Sequence, residues 1–115
     1  MTLREARERF TVQGIDNTFF EGASSGQEEA FNNCVAFLEG VDKTKTIRCT
    51  RSSYGLKHVV EQAYRNCYVY EGTLILAALS LGFACLYADN KTMCCRFNMG
   101  NGSLKKRVAH FKENV

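Results

Sequence analysis

The sequence contains no proline. Fixed kinks, cis X–Pro bonds and polyproline linkers are therefore excluded, and caps and glycines must set the helix ends. Export and membrane signals are equally scarce. The first ten residues, MTLREARERF, are charged throughout and lack an apolar h-region, which predicts a protein that stays in the cytoplasm. The longest apolar run, Leu74 to Leu81, is broken by Ser80 and falls far short of the roughly 20 residues a membrane helix needs. No Walker loop, G-x-G-x-x-G, H-E-x-x-H or C-x-x-C pattern is present, so the reading is of a non-enzymatic protein without a cofactor or metal.

What is present is an ordinary globular balance: 115 residues, 45% hydrophobic and 23% charged. That suits one domain spanning 1–115, large enough to bury a core without staples. Six cysteines stand at 34, 49, 67, 85, 94 and 95. With no export signal and several of them on apolar faces, they read as free thiols acting as small hydrophobes. A thiol or metal site built on Cys49, His58 and Cys67 is the chemical alternative, since a thiolate needs a nearby base and a metal needs converging donors.

Periodicity and caps divide the chain. Thr2 and Glu5 have capping-box spacing before a helix from Leu3 to Arg9, and Ser25 and Glu28 repeat it before a second helix. In that second helix Phe31, Cys34, Val35 and Leu38 make one apolar face, with Gly40 as the stop. Between the two helices, Gly14 to Gly26 reads as a loop with Phe19 and Phe20 tucked into the core. Thr44 to Thr50 alternates and is β-branched, the pattern of a half-buried strand. Ser52 or Ser53 caps a third helix with a stripe of Leu56, Val59, Val60, Ala63, Tyr64 and Cys67. A fourth, from Glu71 to Leu81, is apolar on nearly every side, as the buried centre of a fold is, and Gly82 ends it. Phe83 to Tyr87 and Thr92 to Met99 form a hairpin about Asp89-Asn90. Ser103 caps a last helix running to Lys112, with Leu104, Val108 and Phe111 inward. The expected fold is α+β, a small three-stranded sheet with five helices in the order α-α-β-α-α-β-β-α.

Charge is the least ordinary feature. Residues 1–40 hold three basic and seven acidic groups, net −4, and residues 41–115 hold twelve and five, net +7, giving the overall +3. Basic residues gather at Lys43, Lys45, Arg48, Arg51 and Lys57 and again at Lys105, Lys106, Arg107 and Lys112, the last group on the solvent side of the final helix. Such clusters mark a surface for a partner or its phosphates; the simpler reading is a solvated face, partly neutralised by the acidic helices. Tyr64, Tyr68 and Tyr70 suit either a protein interface or a core edge.

Three stretches carry a resemblance: SSYGLKHVVEQ (Ser52 to Gln62), YVYEGTLILAALSLGF (Tyr68 to Phe83) and CRFNM (Cys95 to Met99). A serine-capped Y-G-x-K-H helix, an aromatic-x-x-G turn into an apolar helix ending G-F, and a strand ending F-N together resemble small accessory proteins of phages and other mobile elements of bacteria. The resemblance implies a protein that acts stoichiometrically by binding a host protein or nucleoprotein complex. Inhibitors of bacterial immunity, anti-CRISPR proteins among them, are one such group. It carries over no catalytic residue. Direct nucleic-acid binding through the basic clusters and a homodimer closed by exposed aromatics are the alternatives.

Overall fold

A computed structural model gives the fold of the chain and describes residues 1–12, 22–23, 25–47, 51–64, 67–89 and 94–113. These residues form α1 (Leu3–Val12), a 3-10 turn (Ser25–Gln27), α2 (Glu28–Leu38), α3 (Ser53–Ala63), α4 (Glu71–Ser80), β1 (Cys85–Asp89), β2 (Cys94–Phe97) and α5 (Asn101–Glu113). The five helices fall where the periodicity puts them.

Caps explain most of the ends. At α1 the Thr2 hydroxyl accepts the Glu5 N–H at 3.1 Å, while the Glu5 carboxylate accepts the Thr2 N–H at 3.2 Å. The second of these bonds holds the Glu5 carboxyl below the usual carboxylate range. Of the box expected at Ser25 and Glu28, the Ser25 side chain lies outside the described residues. A 3-10 turn precedes α2, whose N-cap is Gln27, and the Glu28 carboxylate accepts the Leu3 N–H at 3.2 Å. Leu3 is an orphan donor at the start of α1, and an anion is well placed there. Ser52 caps α3 by accepting the Gly55 N–H at 3.3 Å. At the end of α4, Gly82 takes φ +87°, the Phe83 N–H donates to Ala78 and the Gly82 N–H to Leu79. This is a Schellman closure, which favours glycine at that position.

Helix α4 is the centre of the fold. Every residue from Gly72 to Ala78 is buried, and α1, α2 and α3 pack around it. Phe31, Phe37, Leu38, Leu56, Leu74 and Phe97 fill the space between them. An all-round apolar helix has no face to show to water, so its neighbours must cover it.

The sheet is smaller than expected. Among the described residues it has two strands, β1 and β2, paired antiparallel with Cys85 opposite Phe97, Tyr87 opposite Cys95 and a register shift before Asp89. Residues 44–47 of the expected third strand are not in one, and 48–50 lie outside the described residues, as do Phe19, Phe20 and Asn90. The pairing occurs slightly earlier in the chain. Lys43 bridges Met99, the Thr44 N–H donates to Asn98 at 2.8 Å, and the Gly100 N–H donates to Asp42 at 3.0 Å. Helix α5 also starts two residues before Ser103, whose hydroxyl accepts the Asp42 N–H at 2.8 Å rather than capping its own helix. No helix among the described residues is long and apolar enough to cross a membrane.

Candidate functional site: an aromatic surface and a basic helix face

Two surfaces lie at opposite ends of α2, whose 11 residues span about 16 Å. The first is aromatic. Tyr54, Tyr68 and Tyr70 are 54%, 59% and 44% exposed, large values for rings of this size. They form one patch because they share supports. The Lys57 ammonium lies 5.5 Å from the Tyr54 ring centroid and 4.9 Å from that of Tyr68, and Tyr68 meets Tyr70 edge-on at 4.9 Å. His58 adds its ring to Tyr54 at 4.6 Å.

Buried polar side chains hold this patch. Gln27 sits under the Tyr68–Thr73 segment. Its amide nitrogen donates to Tyr68 O at 3.0 Å, and its oxygen accepts both the Tyr70 N–H and the Thr73 hydroxyl at 2.9 Å. Glu61 accepts the Val69 N–H at 3.0 Å with one oxygen and faces His58 Nδ1 at 2.8 Å with the other. Gly22, at φ +84°, passes beneath Tyr70 so closely that a Cβ would lie 2.5 Å from the ring. Ser53 donates to Glu71 and accepts the Cys95 N–H at 2.9 Å, which ties α3 to α4 and β2.

Lys57 was expected at a contact surface. It is only 6% exposed, its ammonium 3.3 Å from Val69 O and 3.9 Å from Glu61. A buried ammonium is costly unless such partners surround it. Lys57 therefore supports the tyrosines from within. Tyr64, the remaining aromatic of that segment, is at the core edge, 5.2 Å from Phe111.

The second surface belongs to α5. Lys105 and Lys106 are exposed and form no ion pair among the described residues. Arg107 is different. Its Nε and Nη2 donate to Phe37 O at 2.9 Å and Ala36 O at 2.8 Å, and its guanidinium stacks 4.8 Å from the Phe111 centroid. It caps the carbonyl end of α2, where a cation is favoured. Beside it an open depression of about 460 Å³ is lined by Gly40, Asp42, Ser103, Lys106, Arg107 and His110. Arg51 is exposed; Arg48 lies outside the described residues, and so does the side chain of Lys112. The structure thus brings Lys105, Lys106 and Arg107 together and separates Lys57 from them.

The side chains of four of the six cysteines are described. Cys34, Cys67, Cys85 and Cys95 form no disulfide, and Cys34 and Cys95 are buried. Burial pushes the Cys34 thiol far up, whereas a hydrogen bond from Cys95 lowers that of Cys85. Cys49 lies outside the described residues, and among those described no group of three donors is able to hold a metal ion. One further motif exists in the chain: Gly22-Ala23-Ser24-Ser25-Gly26 fits the five-residue nucleophile-elbow pattern. That pattern has meaning only in a strand–turn–helix with a base in reach. Ser24 lies outside the described residues, and His58, which faces the Glu61 carboxylate, meets no serine hydroxyl or thiol among those described.

Compared with known proteins, the chain matches no family model, no curated protein and no solved structure. Function has to be read from the two surfaces themselves.

Proposed function

We propose that this chain is a stoichiometric binding protein, without catalytic activity, that docks its tyrosine surface on a host protein, alone or within a nucleoprotein complex. One observation carries the reading: three exposed tyrosine rings stand on a frame of buried Lys57 and Gln27 and half-buried Glu61. Besides satisfying the backbone and the Thr73 hydroxyl beneath them, the bonds of Gln27 and Lys57 hold the Tyr68–Tyr70 segment from which the rings face water. This arrangement prepares a contact. Tyrosine adds large amphipathic area at low entropy cost, and a ring already fixed has little freedom left to lose on binding. A phage or mobile-element setting, with a component of bacterial immunity as the inhibited partner, is the instance implied by the resemblance of residues 52–99.

The test is a pull-down of tagged protein from nuclease-treated bacterial lysate, with wild type beside the Tyr54→Ala, Tyr68→Ala double variant. Both rings are exposed, so the variant keeps its fold. Wild type retains a stoichiometric protein partner that the variant loses, because anchor tyrosines each contribute about 2 kcal/mol or more to binding. Equal retention by both proteins would refute docking through these rings.

A further inference from the structure

We infer that the depression between α5 and the end of α2 binds the phosphodiester backbone of a nucleic-acid strand. This goes beyond the tyrosine surface and rests on different residues. Ser103, Lys106, Arg107 and His110 are spaced to share one face of α5, and that face lines the depression together with Gly40 and Asp42. Arg107 is fixed by its bonds to the Phe37 and Ala36 carbonyls and by the Phe111 ring, yet these use only Nε and Nη2. Its Nη1 hydrogens remain for a ligand. A side chain at position 40 would close this approach, since a Cβ there would lie 2.8 Å from Arg107 Nε and 2.9 Å from its Cζ.

The pattern of charge selects the ligand class. Lys106 lines the depression and Lys105 stands beside it, both exposed and without an acidic partner among the described residues. Lys45 is exposed on the segment that continues from Asp42. Asp42 is the single carboxylate of the lining. Cations spread around and beyond an open depression match a polyanion with repeated charges better than one carboxylate. A guanidinium with a free edge beside an ammonium is a donor set that suits phosphate oxygens. Such contacts position a strand without reading its sequence.

The experiment titrates a fluorescein-labelled oligonucleotide of about 20 nucleotides, single-stranded and duplex, against the full chain at about 50 mM salt and reads anisotropy. Four proteins are compared: wild type, Lys106→Glu, Asp42→Asn and Arg4→Glu. The last makes the same charge change as Lys106→Glu at an exposed site on α1. Lys106→Glu weakens binding about ten-fold and lowers the salt slope by about one, the effect of one lost phosphate contact. Arg4→Glu stays within about two-fold of wild type, and Asp42→Asn binds more tightly. The tyrosine double variant keeps wild-type affinity for the oligonucleotide, so either reading can fail without the other. Equal weakening by Lys106→Glu and Arg4→Glu would overturn the site, since net charge alone would then explain binding. So would wild-type binding weaker than about 100 μM at this low salt, equal affinity for polyglutamate, or binding of inorganic phosphate at these residues without the oligonucleotide.

Discussion

At the start of α2 the side chain that organises the surface is neutral and buried; at its end the organising side chain is charged and half-buried. Gln27 reaches into a segment more than 40 residues later in sequence and ties down its backbone, leaving the rings of Tyr68 and Tyr70 outside. Arg107 reaches the other way, from α5 onto the carbonyls of α2. The first arrangement leaves an aromatic surface with the Lys57 ammonium buried beneath it. The second leaves exposed lysines in water beside a fixed guanidinium. Tyrosine surfaces that are already ordered suit shape-specific docking, whereas exposed cations suit a repeating anionic backbone at modest entropy cost. One short helix thus separates two surfaces suited to different partners.

The largest break in this comparison is expected from Gln27→Ala. It leaves the Tyr70 N–H, the Thr73 hydroxyl and the Tyr68 carbonyl without their buried partner, costing about 3 kcal/mol in denaturant unfolding. Amide exchange at Tyr70 should accelerate while the Arg107 end keeps its protection. Acceleration at both ends alike would show that the two surfaces are one cooperative unit. Next comes Arg107→Ala, which uncaps two carbonyls of α2 and removes a stacked cation, at about 2 kcal/mol. Arg107→Lys should recover less than half of that loss, because a point charge cannot span two carbonyls as a planar fork does.

The smallest effect concerns Tyr64. Burial raises its phenol above the ordinary tyrosine value, and the Arg107 charge opposes that rise. Since the folded-state value is raised, the stability linked to this group is fully kept below the ordinary tyrosine value. It is lost as pH rises through the folded value. Arg107→Ala removes the opposing charge, so the Tyr64 ring resonance should titrate at still higher pH than in wild type. A shift to lower pH would contradict the proximity of the two groups.

Much of the fold was legible because its signals are local. The Thr2–Glu5 box, the Ser52 cap, the apolar α4 and the stop at Gly82 all act within a few residues of where they are written. Non-local partners account for what was misread. Ser103 carries a cap signature, yet the Asp42 N–H, brought close by the Gly100 pairing, takes its hydroxyl. Thr44 to Thr50 alternates as a strand does, but the partner available, Asn98 to Gly100, pairs with Asp42 to Thr44. Lys57 counts as a surface residue in any periodic reading. Only the return of Val69 over α3 supplies the carbonyl that lets it be buried. The basic helix face was readable from composition, and Tyr68 and Tyr70 were readable as candidates for an interface, but the place of Tyr54 beside them was not. Tyr54 belongs to a helix and Tyr68 and Tyr70 to a connection, and nothing local says that a lysine will hold them together.

The central claim is that the tyrosine surface is ordered before any partner arrives. It is tested most directly by NMR relaxation of the Tyr54, Tyr68 and Tyr70 ring carbons in the free protein. Order parameters near the rigid-backbone value of about 0.85 at the Cβ–Cγ axis of all three rings are the predicted result. Values below about 0.6, with averaged χ1 couplings, would mean that the rings sample several rotamers in water, and the frame of Lys57, Gln27 and Glu61 would then prepare no surface at all.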